Sequence, residues 1–356
     1  MKRTLALLLS VVLCFGIMGA AFADTAEIAL ITDIGTINDK SFNQGSWEGI
    51  KEYADANKIT YQYYQPAEQG TEVYLDEIDK AVSNGAKIVV TPGFLFEEPV
   101  YFAQTKYPDV KFILIDGNPH DAENNFKTEK NTVGITFMEE QSGFLAGYAA
   151  VKDGYTKLGF MGGMAVPAVV KFGYGFAQGA EYAAKEMGIE EVTLNYHYTG
   201  GFAATPEAQT LAATWYNSGV EVIFACGGAV GNSVMVAAQE VDKAVIGVDV
   251  DQSVESKTVI TSAMKGLSAA VVKALKANYE GEFPGGSSWV LGAADMGVKL
   301  PMETSRFKTF TQADYDAIYA KLQADEIKLL TNVDEANNPL TLDQLNLSVV
   351  KVTEVQ

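Results

Sequence analysis

The sequence predicts an α/β protein of two lobes with parallel sheets joined by one hinge. Three observations lead there. Short apolar runs alternate with longer amphipathic ones, the alternation restarts part-way along the chain, and no low-complexity tract divides the two halves. Regular strand–helix alternation places strands in parallel sheets covered by helices on both faces.

The first half reads in order. "EIALIT" (27–32) is an apolar strand, and "FNQGSWEGIKEYADANK" is a helix with Trp47, Ile50 and Tyr53 or Ala54 at helical spacing. "ITYQYYQ" (59–65) alternates like a strand, and "EVYLDEIDKAVSNGA" is a helix stopped by Gly85. "KIVVTPG" reads as a buried strand, "FEEPVYFAQTKYPD" as a helix, and "VKFILIDG" (110–117) as another strand.

After "NTVGITFM" (131–138) the pattern begins again. "EEQSGFLAGYAAVKDG" is helical, "KLGFMGG" (157–163) is a strand ending in glycines, and "VKFGYGFAQGAEYAAKEMG" is a helix. "EVTLNYHYTGG", "EVIFACGG" (221–228) and "AVIGVDVD" (244–251) follow as strands, separated by the helices "ATPEAQTLAATWYNSGV" and "VGNSVMVAAQEV". Helical material returns at 268–281 and in "FKTFTQADYDAIYAKLQ". One lobe is assigned to 26–135 plus 256–285, and the other to 136–255 plus 286–356.

Residues 1–23 read as a secretory signal peptide. "MKR" supplies the basic start, an apolar run follows, and "AFA" (21–23) is a small-x-small cleavage site. The protein is therefore expected outside the cytoplasm, periplasmic or at the cell surface. Cys14 lies inside the apolar run, and its lipidation would tether the chain. Leu13 stands where lipoprotein processing wants a small residue.

Cleavage removes Lys2 and Arg3 and moves the formal charge from −19 to −21. A field of that sign excludes nucleic acid and anionic membrane as general partners, and it favours a soluble monomer. Cys226 remains as the single cysteine, which excludes an internal disulfide. Stability then rests on burial, and 48% apolar composition supplies it.

In open parallel sheets, ligands sit at the carboxyl ends of the strands. The residues found there are Asp33 with the loop after it, Pro92–Phe94, Asp116–Asn118, Gly162–Gly163, Gly201–Phe202, Gly227–Gly228, and Asp249 with Asp251. Carboxylates, amides, glycines and phenylalanines recur, and basic groups are scarce. Such a set suits a neutral polyhydroxylated or heterocyclic ligand. Helix capping is the competing use of Asp33, Asp116 and Asp249. Paired carboxylates would also serve glycoside cleavage.

Catalysis has little to stand on. His120 and His197 are far apart, and no HExxH, CxxC, Walker lysine loop or GxSxG occurs. No metal site or cofactor is expected. "GGAVGN" (227–232) lacks both the dinucleotide spacing and the lysine of a phosphate loop, so its glycines point to a tight turn beside a neutral ligand.

Several stretches resemble the basic-membrane-protein family, the purine-nucleoside-receptor type of ABC-importer substrate-binding protein. They are "DIGTINDKSFNQGSWEG", "YPDVKFILIDG", "SGFLAGYAA", "LGFMGGMAVPAVVKFGYGFAQGA", "VIGVDVDQ" and "VITSAMK". The resemblance runs from about Glu27 to about Gly292. It implies a type I periplasmic-binding-protein fold, two Rossmann-like lobes joined by three crossings. It also implies a purine nucleoside as ligand and an ABC permease in the membrane as partner. Carried over by position, Phe42 and Phe202 would sandwich the base, while Asp33, Asn43 and Asp116 would bond its edge. Asp249, Lys265 and the backbone near Gly228 would hold the ribose. Riboflavin, a nucleobase or a sugar in the same fold competes with the nucleoside. A nucleoside or glycoside hydrolase and a ligand-sensing domain compete with the transport role.

Overall fold

The computed structural model describes residues 25–355. The segment 1–23, read from sequence as a signal peptide, and Cys14 within it lie outside the described residues. Strand β1 (Ile28–Ile31) leads through a polar loop into helix α1 (Phe42–Asn57). β2 (Tyr61–Tyr64), α2 (Thr71–Ser83), β3 (Ile88–Pro92), α3 (Glu97–Lys106), β4 (Lys111–Ile115) and β5 (Thr132–Phe137) complete the first run. A second run comprises α4 (Glu139–Lys152), β6 (Lys157–Gly162), α5 (Pro167–Met187), β7 (Val192–Tyr198) and α6 (Pro206–Asn217). It continues through β8 (Val222–Cys226), α7 (Val230–Val241), β9 (Ala244–Asp249) and β10 (Val259–Lys265). The chain closes with α8 (Leu267–Tyr279), β11 (Ser287–Leu291), β12 (Val298–Lys299), α9 (Gln312–Gln323) and β13 (Val350–Glu354).

Among the described residues the strands form two sheets. One is ordered β11-β5-β4-β3-β1-β2 and the other β12-β10-β9-β8-β6-β7-β13. All pairings are parallel except β10 with β12. Each sheet reverses its strand order once, between β1 and β3 and between β6 and β8. Those two switch points open crevices at the carboxyl ends of the strands.

Side-chain alternation along each strand feeds two layers. Ile28 and Leu30 of β1 join the cluster shared with α1 and α8, whereas Ala29 and Ile31 pack with Tyr74, Ile78 and Phe96 on the other face. In the second lobe α4 and α5 cover one face, while α6 and α7 bury Trp215, Val230 and Val234 against the other.

The α4–α5 pair packs backbone against backbone. A Cβ on Gly143 or Gly147 would meet the carbonyl of Phe172 or Phe176 at 2.1 Å, and one on Gly175 or Gly179 would meet Glu140 or Phe144 at 2.0 Å. Backbones touch there because the sequence places glycine at every crossing point.

The chain passes between the sheets three times, after β5, after β10 and after β11. The lobe boundaries assigned from sequence need correction at the last two. Val259–Lys265, assigned to the first lobe, is a strand of the second sheet in parallel register with β9. Ser287–Leu291, assigned to the second lobe, pairs in parallel with β5 of the first sheet. Neither segment shows the partner that captures it, so local pattern cannot assign its lobe. The crossing segments are tied together: Met138 donates its N–H to Leu291 at 3.0 Å, and Gly266 donates to Gly297 at 2.8 Å. No helix of the described residues is long and apolar enough to cross a membrane.

Candidate functional site

A cavity of about 440 Å³ lies between the two sets of strand ends. All eight residues singled out from sequence line it: Asp33, Phe42, Asn43, Asp116, Phe202, Gly228, Asp249 and Lys265. The first four follow β1 and β4 in one lobe, and the other four belong to the second lobe.

The loop after β1 is built around two carboxylates. Asp39 accepts backbone N–H bonds from Ser41, Asn43 and Gln44 at 2.8, 2.9 and 3.1 Å. It thereby satisfies the first turn of α1, which lacks a side-chain bond from Ser41 itself. Asp33 does no capping. Its Oδ1 accepts from Gly35 N–H at 2.7 Å and from Asn43 Nδ2 at 2.9 Å, so the two form one rigid polar unit facing the cavity. Burial pushes the Asp33 carboxyl up to about 6, against the lowering effect of Asn43 and Gly35.

Phe42 is the first residue of α1 and not the residue before its cap, so it is no hydrophobic staple. Its half-buried ring lines the cavity. Phe202 comes from the opposite lobe, and its ring is seated against the bare α-carbon of Gly163. A Cβ there would meet that ring at 2.5 Å. Gly228 holds φ +56° beside the Phe202 backbone, a conformation that favours glycine.

The floor is a buried charge cluster. Lys265, at the end of β10, pairs with Asp116 of the first lobe and lies 3.6 Å from Asp249 and 3.7 Å from Glu139. Burial opposes its ammonium, but the three carboxylates outweigh that effect and raise its pKa. Burial likewise dominates at Asp116 and pushes it up to about 7, with Lys265 pulling the other way. Asp116 Oδ1 is buried without a hydrogen-bond partner. Asp116 and Asp249 both sit in left-handed backbone, at φ 59° and 67°. Such strain costs about 1–3 kcal/mol and gathers at functional sites. The Lys265 ammonium also lies 4.5 Å from the Phe42 ring centroid. Across the cleft, Ser41 Oγ donates to Asp249 Oδ2 at 2.5 Å.

None of the three strand-end aspartates caps a helix. The structure groups Asp116 with Lys265 and Asp249, and Asp33 with Asn43. Sequence reasoning passed over Phe172 and Glu139, and it gave no role to Phe94 or Asp39 within the strand-end segments it named. Phe94 and Phe172 line the cavity, and Glu139 is the third carboxylate on Lys265. Glu139 was within reach of the rule that found the others, because it opens α4 directly after β5. Among the described residues no three histidine, cysteine or acidic side chains are placed to hold a metal ion.

A model of the family described as ABC transporter substrate-binding protein PnrA-like matches residues 26–332. The chain is 30% identical over 322 residues to the ABC transporter nucleoside-binding protein BmpA of Lactococcus lactis subsp. cremoris, covering 83% of this chain and 88% of that one. It is 31% identical over 257 residues to basic membrane protein A of Borreliella burgdorferi, covering 71% and 72%. Among solved structures, an ABC-transporter solute-binding protein from Aeropyrum pernix K1 superposes with a TM-score of 0.75 at 24% identity, over 87% of this chain and 95% of that one. Another from Conexibacter woesei gives 0.68 at 25% identity, over 86% and 99%. The fold is that of the type I periplasmic solute-binding proteins.

Proposed function

Because this chain belongs to the PnrA-like family of ABC-transporter substrate-binding proteins, we propose that its cleft binds a nucleoside, most favourably a purine nucleoside. Closure of the two lobes then presents the exported, loaded protein to the permease of an ABC importer. One observation carries the reading. One interlobe cavity receives an aromatic ring from each lobe, Phe42 and Phe202, together with buried carboxylates on its walls.

A nucleoside matches those walls. The flat base offers π faces to the two rings, and stacking on a ring contributes about 1–3 kcal/mol per base. Its N–H groups suit the Asp33–Asn43 unit. The vicinal hydroxyls of the sugar suit Asp249 and the Lys265 cluster, where charge-assisted bonds form in a dry site. The volume falls within the range of small-molecule sites. The relative from Lactococcus lactis is named for nucleoside binding.

Isothermal titration of the unfolded, dialysed and refolded protein tests this reading against inosine, guanosine, adenosine, cytidine, adenine, ribose and riboflavin. Submicromolar binding of purine nucleosides is expected, weakened at least tenfold in Phe42→Ala and in Asp249→Ala, on the scale of one lost ring or charge-assisted bond. Binding of ribose or riboflavin with no response to nucleosides overturns the ligand and keeps the fold. Release of free base from inosine overturns the carrier role.

A further inference from the structure

The last residue of the "GVDVDQ" stretch has no place among the cavity walls, yet Gln252 is 1% exposed and both ends of its side-chain amide are hydrogen-bonded. Within its own lobe Oε1 accepts from Val248 N–H at 3.1 Å, and its backbone N–H donates to Ser262 Oγ at 3.0 Å. Its Nε2 leaves the lobe and donates to the carbonyl of Lys40 at 2.8 Å. Lys40 sits in the first-lobe loop that carries Asp39 and Ser41, at φ 60°. One amide therefore joins the backbone just before Asp249 to the loop just before Phe42.

The sheet is notched to seat that amide. A Cβ on Gly247 would lie 2.5 Å from Gln252 Oε1 and 2.7 Å from Ser262 Oγ. Gly247 lies in β9 and needs no unusual φ, so the conformational freedom of glycine does not explain it. The space it leaves is the seat of Gln252. The neighbouring Lys40–Glu255 pair spans the same gap at 3.6 Å, but with 41% and 28% of its side chains exposed it adds little.

We propose that Gln252 is a positioning residue that latches the lobes in the closed form, through its Nε2 bond to Lys40 and without touching ligand. The proposal rests on the lobe-closure reading given above. A net intramolecular hydrogen bond of this kind changes the closed-to-open ratio roughly three- to tenfold. The latch then adds to ligand affinity by favouring the competent state.

Two substitutions separate donor from bulk. Gln252→Glu keeps an acceptor for Val248 N–H and removes the donor to Lys40. Gly247→Ala leaves every polar group in place and displaces the amide from its seat. Spin labels on Asp76→Cys in the first lobe and Glu240→Cys in the second report the interlobe distance by double electron–electron resonance, with and without guanosine.

Near pH 8 the closed-to-open ratio is expected to fall in both variants by roughly three- to tenfold or more. As pH is lowered, Gln252→Glu should recover relative to wild type at the same pH, because a protonated carboxyl donates to Lys40 again. Asp39, Lys40, Asp249, Asp251 and Glu255 are the charged groups on the two joined segments, and the wild-type series accounts for their titration. A loop that had merely been loosened would not recover. Distance distributions equal to wild type in both variants, with and without guanosine, overturn the latch. So does failure of Gln252→Glu to recover at low pH. If guanosine leaves the wild-type distances unchanged, the nucleoside reading fails separately, and the ligand-free comparison still judges the latch.

Discussion

Lys265 of the second lobe makes its shortest ion pair with Asp116 of the first, and the same ammonium is shared with Asp249 and Glu139. One buried cation thus serves three carboxylates drawn from β4, β9 and the start of α4. Glu139 keeps Lys171 at 3.3 Å, but removing Lys265 leaves Asp116 and Asp249 buried without a counterion, which costs about 3–5 kcal/mol where a buried pair is broken. Lys265→Met is expected to lower the melting temperature sharply at pH 8. Part of the loss should return as pH falls and the carboxylates protonate, which a thermal-melt series at stepped pH would read.

Stability and binding should respond to pH in opposite directions. Asp33 and Asp116 are pushed up to about 6 and about 7 in the fold from an ordinary 3.8. The folded protein then holds more protons than the unfolded chain between about pH 4 and 7, so stability rises as pH falls through that window. Relief of the net charge of −19 acts in the same direction. Empty protein should melt higher at pH 5 than at pH 8, and Asp33→Asn should flatten part of that slope.

Nucleoside binding should instead weaken below about pH 6. There Asp33 gains a proton and ceases to be a pure acceptor, at a cost of about tenfold per pH unit for each proton that binding must displace. Titration calorimetry at pH 8, 6 and 5 measures it. Affinity unchanged across that range would show that Asp33 does not accept from the ligand as a carboxylate.

The contact between α4 and α5 predicts an unusual cost for a small change. Gly147→Ala adds one methyl and improves helix propensity by about 1 kcal/mol. That methyl would lie 2.1 Å from the Phe176 carbonyl, backbone that cannot swing aside. Net destabilisation of about 1–3 kcal/mol is expected from forced separation of the helices. Chemical denaturation reads it, with Gly188→Ala avoided as a control because Gly188 adopts φ +68°.

One carboxylate anchors the start of the last strand, which also pairs with β7. Glu181 in α5 accepts from the backbone N–H groups of Ser348, Val349 and Val350 at 2.9, 2.9 and 2.8 Å, and from the Ser348 hydroxyl at 2.6 Å. Burial alone would raise its pKa, but Lys185, Ser348 and those N–H groups hold it at about 2. Its contribution is present above the ordinary glutamate value of 4.5 and is lost as pH falls through 2. Glu181→Ala should cost about 1–3 kcal/mol by leaving donors unpaired. Hydrogen exchange should show Val350–Glu354 opening before the rest of the second sheet.

Much of the site was legible from sequence, and for one reason. In a parallel sheet the ligand crevice lies at strand ends, so finding the strands locates the site. Asp33 after "EIALIT", Asp116 after "KFILI" and Asp249 after "AVIGV" were reachable in that way. Glu139 was reachable by the same rule, applied after β5, and was passed over. Phe172 was not reachable so, because it lies inside α5 and reaches the cavity by the angle at which that helix packs.

The α/β class, the two-lobed division and most of the cavity's chemistry can be read along the chain, because strand and helix periods and turn residues are local properties. Which sheet captures 259–265 and 287–291 depends on packing, since a parallel strand carries no local mark of its partner. Packing also decides that Lys265 serves three carboxylates from both lobes, and that Gln252 reaches the carbonyl of Lys40. Apart from Lys265 with Asp249, those contacts join residues more than a hundred positions apart, and their energies depend on burial that exists only once the two lobes meet.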